Sequence, residues 1–153
     1  MTPKRKTKEF FRMWPRALFH MKAGTPILER HFGKVAGVYV LYRDDVPHYI
    51  GKTGTTLLKR LRNHALKPNT RRYNFWNYFS AFTIDDSYHR DEVEAILISA
   101  MPTANSATPK IPKVRLKPDA AKLLNNIQAL MLTGERDNSG VAHPEQADDD
   151  EDT

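Results

Sequence analysis

Apolar positions in the first part of this chain follow no single period. Phe10, Phe11, Met13, Trp14, Leu18, Phe19 and Met21 follow a basic run, Lys4-Arg5-Lys6-Thr7-Lys8. Residues 1–34 read as a basic, aromatic N-terminal arm of one or two short helices, with Pro15 starting or breaking one and Gly24-Thr25-Pro26 ending the stretch. The arm suits packing over the core slightly better than dedicated DNA binding. From Gly37 the pattern sharpens. Gly37-Val38-Tyr39-Val40-Leu41-Tyr42 is rich in β-branched and aromatic residues and predicts a strand, and His48 to Lys52 predicts a second. The polar Arg43 to Pro47 between them makes the pair a hairpin. Strand residues alternate faces, so a two-residue turn at Asp44-Asp45 would set Tyr39 and Tyr49 on opposite faces. A three-residue loop, Asp44 to Val46, would set them on one face and is the expected form.

A helix then runs from a Thr55 or Thr56 cap to about Leu66, stopped by Pro68 and Asn69. Leu57, Leu58, Leu61 and Ala65 fall in one arc of it, with Arg60 and His64 flanking that arc. Trp76 to Ile84 predicts a third strand, Asp91 to about Met101 a second helix ended by Pro102, and Asp119 to Leu132 a third, amphipathic helix closed by Gly134. The order β-β-α-β-α predicts an α+β fold: a small three-stranded antiparallel sheet flanked by helices, with a helical N-terminal arm and a C-terminal helix. Four segments follow: 1–34 the arm, 35–106 the sheet-containing domain, 107–134 a linker and helix, and 135–153 an acidic tail expected to be disordered.

Composition narrows the class. With 153 residues and 40% hydrophobic side chains there is room for one compact domain with short extensions. No apolar run is long enough to span a membrane, and the basic N-terminus lacks the apolar stretch of a signal peptide. Cysteine is absent, which excludes disulfides and thiolate metal sites and suits a reducing, cytoplasmic location. The net charge of +6 is uneven: 135–153 carries eight carboxylates against Arg136, a net of −7, so 1–134 carries +13. Such a body attracts polyanions, nucleic acid above all.

The triplets Gly37-Val38-Tyr39 and Tyr49-Ile50-Gly51 carry the sharpest signal. Downstream come Arg60-Leu61, then His64 one turn later, then Glu94-Ala95-Ile96-Leu97-Ile98 with Pro102 and Asn105. These elements, in this order over about residues 35–106, resemble the GIY-YIG nuclease superfamily. The resemblance implies an endonuclease that hydrolyses the DNA backbone with one divalent metal, leaving a 5′-phosphate and a 3′-hydroxyl. Tyr39 would accept the proton of the attacking water and Tyr49 would position water or phosphate. Glu94 would hold Mg²⁺ or Mn²⁺, with Glu92 the alternative; a hard cation keeps several waters, so one carboxylate suffices.

Read by themselves, the same residues fit this chemistry. Arg60 offers a guanidinium fork that grips phosphate oxygens bidentately. A phenol titrates near 10, so at Tyr39 a neighbouring cation must lower it, or must acidify the water instead. Lys52, Lys59 and Arg62, with the basic loop residues Arg71 and Arg72 beside Tyr73, are candidate nucleic-acid contacts. Gly37 and Gly51 support the site, and Asn105 ties the chain end to it. Gly51-Lys52-Thr53 is not a phosphate-binding P-loop, because position 46 is Val where that motif needs glycine. A non-catalytic nucleic-acid binder of the same fold is the competing expectation. A protein-interaction module whose acidic tail contacts a basic partner is a third. Folding of that tail onto the basic body, limiting non-specific DNA binding, is a further one. Oligomeric state and substrate structure do not follow from the sequence.

Overall fold

The computed structural model describes residues 2–69, 75–105 and 111–133. The chain divides into two compact units, Met1–Pro112 and Lys113–Thr153. The first holds strand β1 (Thr7–Pro15), a 3-10 helix (Arg16–His20), helix α1 (Gly24–Phe32), strands β2 (Gly37–Arg43) and β3 (Val46–Thr53), helix α2 (Leu57–Leu66), strand β4 (Tyr78–Ile84) and helix α3 (Ser87–Ala100). The second holds helix α4 (Pro118–Thr133), which opens with a proline whose missing N–H is no loss there.

The fold is α+β, but its antiparallel sheet has four strands, in the order β1-β4-β2-β3, where the sequence pattern predicts three. The extra strand is the N-terminal arm. Its helical expectation fails over residues 7–15, and Gly24-Thr25-Pro26 begins α1 instead of ending an arm. Strand β1 pairs along β4, Phe10 with Phe82 and Trp14 with Phe79. Two register shifts, between Thr7 and Glu9 and between Phe11 and Trp14, break its alternation. Each leaves a backbone N–H without a ladder partner, and each is met by a hydroxyl from β4. Thr83 Oγ1 accepts from Glu9 N–H at 2.9 Å and Ser80 Oγ from Met13 N–H at 3.1 Å. Ser80 and Thr83 are the buried polar residues among those described, and this is their use.

Two cores result, one on each face of the sheet. On one face α1 and α2 bring Leu28, Phe32, Leu57, Leu58, Leu61 and Ala65 onto Tyr39, Leu41, Phe79 and Ala81. Trp76, expected in the third strand, lies just ahead of β4 and is buried in this core. Arg16 lies over its ring and donates to the carbonyls of Trp76 and Ala65, which neutralises the C-terminal end of α2. On the other face α3 packs Val93, Leu97 and Ile98 against Val38, Val40, Ile50 and Ile84. Helix α3 begins four residues ahead of the expected Asp91, because Asp86 caps it by accepting from His89 N–H at 2.7 Å. The Asp86 carboxyl is held below the usual carboxylate range, chiefly by that bond, with Lys6 adding to it.

The β2–β3 turn also differs from expectation. Arg43 pairs with Val46, so the turn has two residues, Asp44 and Asp45. Asp44 takes a left-handed φ of 55°, which aspartate tolerates. Asn77 fixes it, accepting from Asp44 N–H at 2.7 Å and donating to the Asp44 carboxylate at 2.8 Å. The ladder then runs Tyr42 to Pro47 and Leu41 to Tyr49, so His48 is an extra, bulged residue. The bulge restores the parity that the short turn removes: Tyr39 pairs with Gly51, and Tyr49 shares its face.

Candidate functional site

Tyr39 and Tyr49 both point to the α2 face, ring centroids 6.2 Å apart. Tyr39 is fully buried and lies across Gly51, where an added Cβ would overlap its hydroxyl and ring edge. That close approach is why the second triplet ends in glycine. Gly37 is equally constrained, since a Cβ there would run into the carbonyl of Phe82. His64 projects from α2 onto the same spot, Nε2 at 2.7 Å from Tyr39 Oη, with its ring 5.7 Å from that of Tyr49. The expected arc is the buried one: Leu57, Leu58, Leu61 and Ala65 hold α2 down and place His64 at the sheet. Trp76 Nε1 donates to the His64 carbonyl at 3.4 Å.

Burial pushes the Tyr39 phenol well above its ordinary value and Tyr49 adds to the rise. The Arg60 guanidinium opposes them, by charge and by hydrogen bonding to the phenol. Two phenols, an imidazole and a guanidinium therefore meet on this face. Beside them a cleft of about 170 Å³ is lined by Thr53, Thr55, Lys59, Arg60 and Asn63. Arg62 is half-buried on the same helix, and Arg71 and Arg72 lie outside the described residues.

Glu94 is placed differently. Lys52 pairs with Val38, which belongs to the α3-facing core, so Lys52 rises from the face opposite Tyr39. Its ammonium lies 3.1 Å from Glu94 Oε1 and 2.9 Å from Asp91 Oδ1. The Asp91 hydrogen bond raises the Lys52 pKa; burial opposes the rise and Glu94 adds to it. Asp91 was not foreseen, although its spacing of three from Glu94 places both on one helix face. Glu92 is exposed and lines a groove with Tyr88, Asp91 and Ile96. The sequence-predicted residues thus form two groups: Tyr39, Tyr49, Arg60 and His64 on the α2 side, Lys52 and Glu94 on the α3 side. Strand β3 lies between them and is the edge of the sheet.

Asn105 ties the chain to that edge. Its side-chain oxygen accepts from Ile50 N–H at 2.9 Å and its NH₂ donates to Ile50 C=O at 2.7 Å. Thr103 donates to the same amide oxygen, and Ala104 N–H donates to His48 C=O at 2.8 Å.

The donor set suits a hard divalent cation in one respect. Two carboxylates, Asp91 and Glu94, already converge on a single positive charge, the Lys52 ammonium. Among the described residues no group of three or more His, Asp or Glu gathers at one point. No described helix is long and apolar enough to cross a membrane. No protein-family model, curated protein or solved structure matches the chain.

Proposed function

We propose that this chain is a divalent-metal-dependent endonuclease that hydrolyses the phosphodiester backbone of DNA, the GIY-YIG-like reading of its motifs, acting inside the cell. The observation that carries it is the cluster of Tyr39, Tyr49, Arg60 and His64 on one face, with the half-buried Glu94 held just across the edge strand. Gly51 and Lys52 are consecutive, their Cα atoms about 3.8 Å apart. The reading requires a phosphodiester that wraps the β3 edge from one group to the other.

The roles proposed here rest on this geometry. Arg60 grips phosphate oxygens, its fork matching two of them. Tyr39 stays a phenol at neutral pH, because its pKa is raised and not lowered. It therefore acts as half of a relay. As Tyr39 Oη takes a proton from the attacking water, its own proton passes to His64 Nε2, 2.7 Å away. Neither group then holds a phenolate charge in a buried site, and imidazole is the side chain best suited to receive a proton near neutrality. Glu94, with Asp91 beside it, would hold Mg²⁺ or Mn²⁺, which would supply charge stabilisation on the phosphate and lower the pKa of water. Lys52 frees these carboxylates by turning toward the DNA backbone.

The second reading, a non-catalytic DNA binder, is favoured by one observation: Lys52 already neutralises Glu94 and Asp91. Plasmid nicking separates the two. Mg²⁺- or Mn²⁺-dependent nicking is expected from the parent and none in chelator. Glu94→Ala and Arg60→Ala are each expected to slow it by about 100-fold or more. Binding without cutting in all three proteins would establish the binder.

A further inference from the structure

An aromatic pair at the rim of the Tyr39 cluster has no part in the chemistry above. Phe75 stacks on the imidazole of His48, centroids 5.5 Å apart and planes inclined by 19°. Phe75 is nevertheless 57% exposed, while its neighbour Trp76 is 1% exposed. Burying a phenylalanine ring stabilises a fold, and much of that gain is left unused here. The exposed Phe10 is a different case: it stacks on Phe82, its partner in the β1–β4 ladder, as sheet residues ordinarily do. His48 and Phe75 are not ladder partners. One is the bulged residue of β3 and the other precedes β4.

Both rings are anchored to the candidate site. His48 is held through its carbonyl by Ala104 and immediately precedes Tyr49, whose ring meets His64. Phe75 immediately precedes Trp76, whose indole donates to the His64 carbonyl. Residues 46–84 contain no carboxylate, and helix α2, which carries His64, bears the basic Lys59, Arg60 and Arg62.

We infer that Phe75, backed by His48, is a stacking platform for a nucleobase outside the duplex stack, so that the substrate is DNA with an unpaired base beside the cut, as in a flap, branch or single strand. This rests on the DNA-cleaving reading and names its substrate class. In an intact duplex each base face is covered by its neighbours, and only an unpaired base offers a free face to a ring. The basic stretch holds the backbone while the ring holds the base, the pairing of features that single-strand binders use. His48 behind Phe75 fixes the ring's tilt, so little side-chain freedom is lost on binding.

The test uses the full chain and synthetic DNA carrying 2-aminopurine, either paired within a duplex or unpaired at a flap junction, in chelator so that nothing is cut. The flap is expected to bind about tenfold more tightly than the duplex, with quenched fluorescence. Phe75→Ala is expected to abolish that preference and the quenching while leaving duplex binding unchanged. Phe75→Trp is expected to restore both. Equal binding of flap and duplex by the parent, or a preference that survives Phe75→Ala, overturns the platform. A flap preference in a protein that nicks nothing with Mg²⁺ overturns the nuclease reading and leaves the platform standing; nicking without a flap preference does the reverse.

Discussion

Gly51 and Tyr39 behave as one unit. The glycine that closes the second triplet exists to receive the tyrosine that closes the first, and the pair sits directly opposite in the β2–β3 ladder. Sequence spacing shows two triplets, whereas the fold shows one contact. The buried phenol has a thermodynamic consequence. Its folded pKa lies above the unfolded value near 10, so folding favours the protonated form. The stability this contributes is present below about pH 10 and declines as pH rises toward the folded value. Tyr39→Phe should therefore narrow the fall in Tm between pH 9 and pH 11 relative to the parent, as measured by calorimetry. Parallel curves for the two proteins would show that Tyr39 titrates in the folded state as it does in water.

At the level of elements, the hydrophobic pattern was legible wherever periodicity was unbroken and illegible where a bulge broke it. Helix α2 and strand β2 lie within a few residues of where the pattern puts them, because Leu57, Leu58, Leu61 and Ala65 repeat at helical spacing and Val38 to Tyr42 is uniformly β-prone. Strand β1 is hidden in the sequence: the consecutive Phe10 and Phe11 face opposite sides of the sheet, and the irregularity between Phe11 and Trp14 brings those two to one face, so no alternation survives to be read. The hairpin erred twice and compensated, a shorter turn offset by an unforeseen bulge at His48, so the shared face of the two tyrosines was legible while the register was not. For the site, the residue types were legible. The side of the sheet on which Glu94 lies was not, since it depends on how α3 crosses the sheet and not on spacing within α3. The β1 bulges also predict a cost. Ser80→Ala leaves Met13 N–H without its acceptor in a part-buried position, and chemical denaturation should show a loss of about 1–3 kcal/mol. A loss below about 0.3 kcal/mol would mean that water replaces the hydroxyl there.

For the whole molecule, helices on both faces of the sheet leave its two edges as the places where backbone is within reach of something else. At β1 the edge is protected by irregularity and by charge, with Lys6 paired to Asp86 at 3.7 Å and Lys8 paired to Asp85. At β3 the protection is of another kind. The Asn105 amide gives Ile50 the same donor and acceptor that a fifth strand would give it. A single side chain thus counterfeits a neighbouring backbone and keeps the last rung of the ladder from recruiting a real one. Asn105→Ala would uncover that rung in every molecule at once, and copies of the chain should begin to zip edge to edge. Light scattering that grows with protein concentration in the variant and stays flat in the parent would reveal it, and equal scattering from the two would mean that the backbone of residues 103 and 104 suffices to close the sheet.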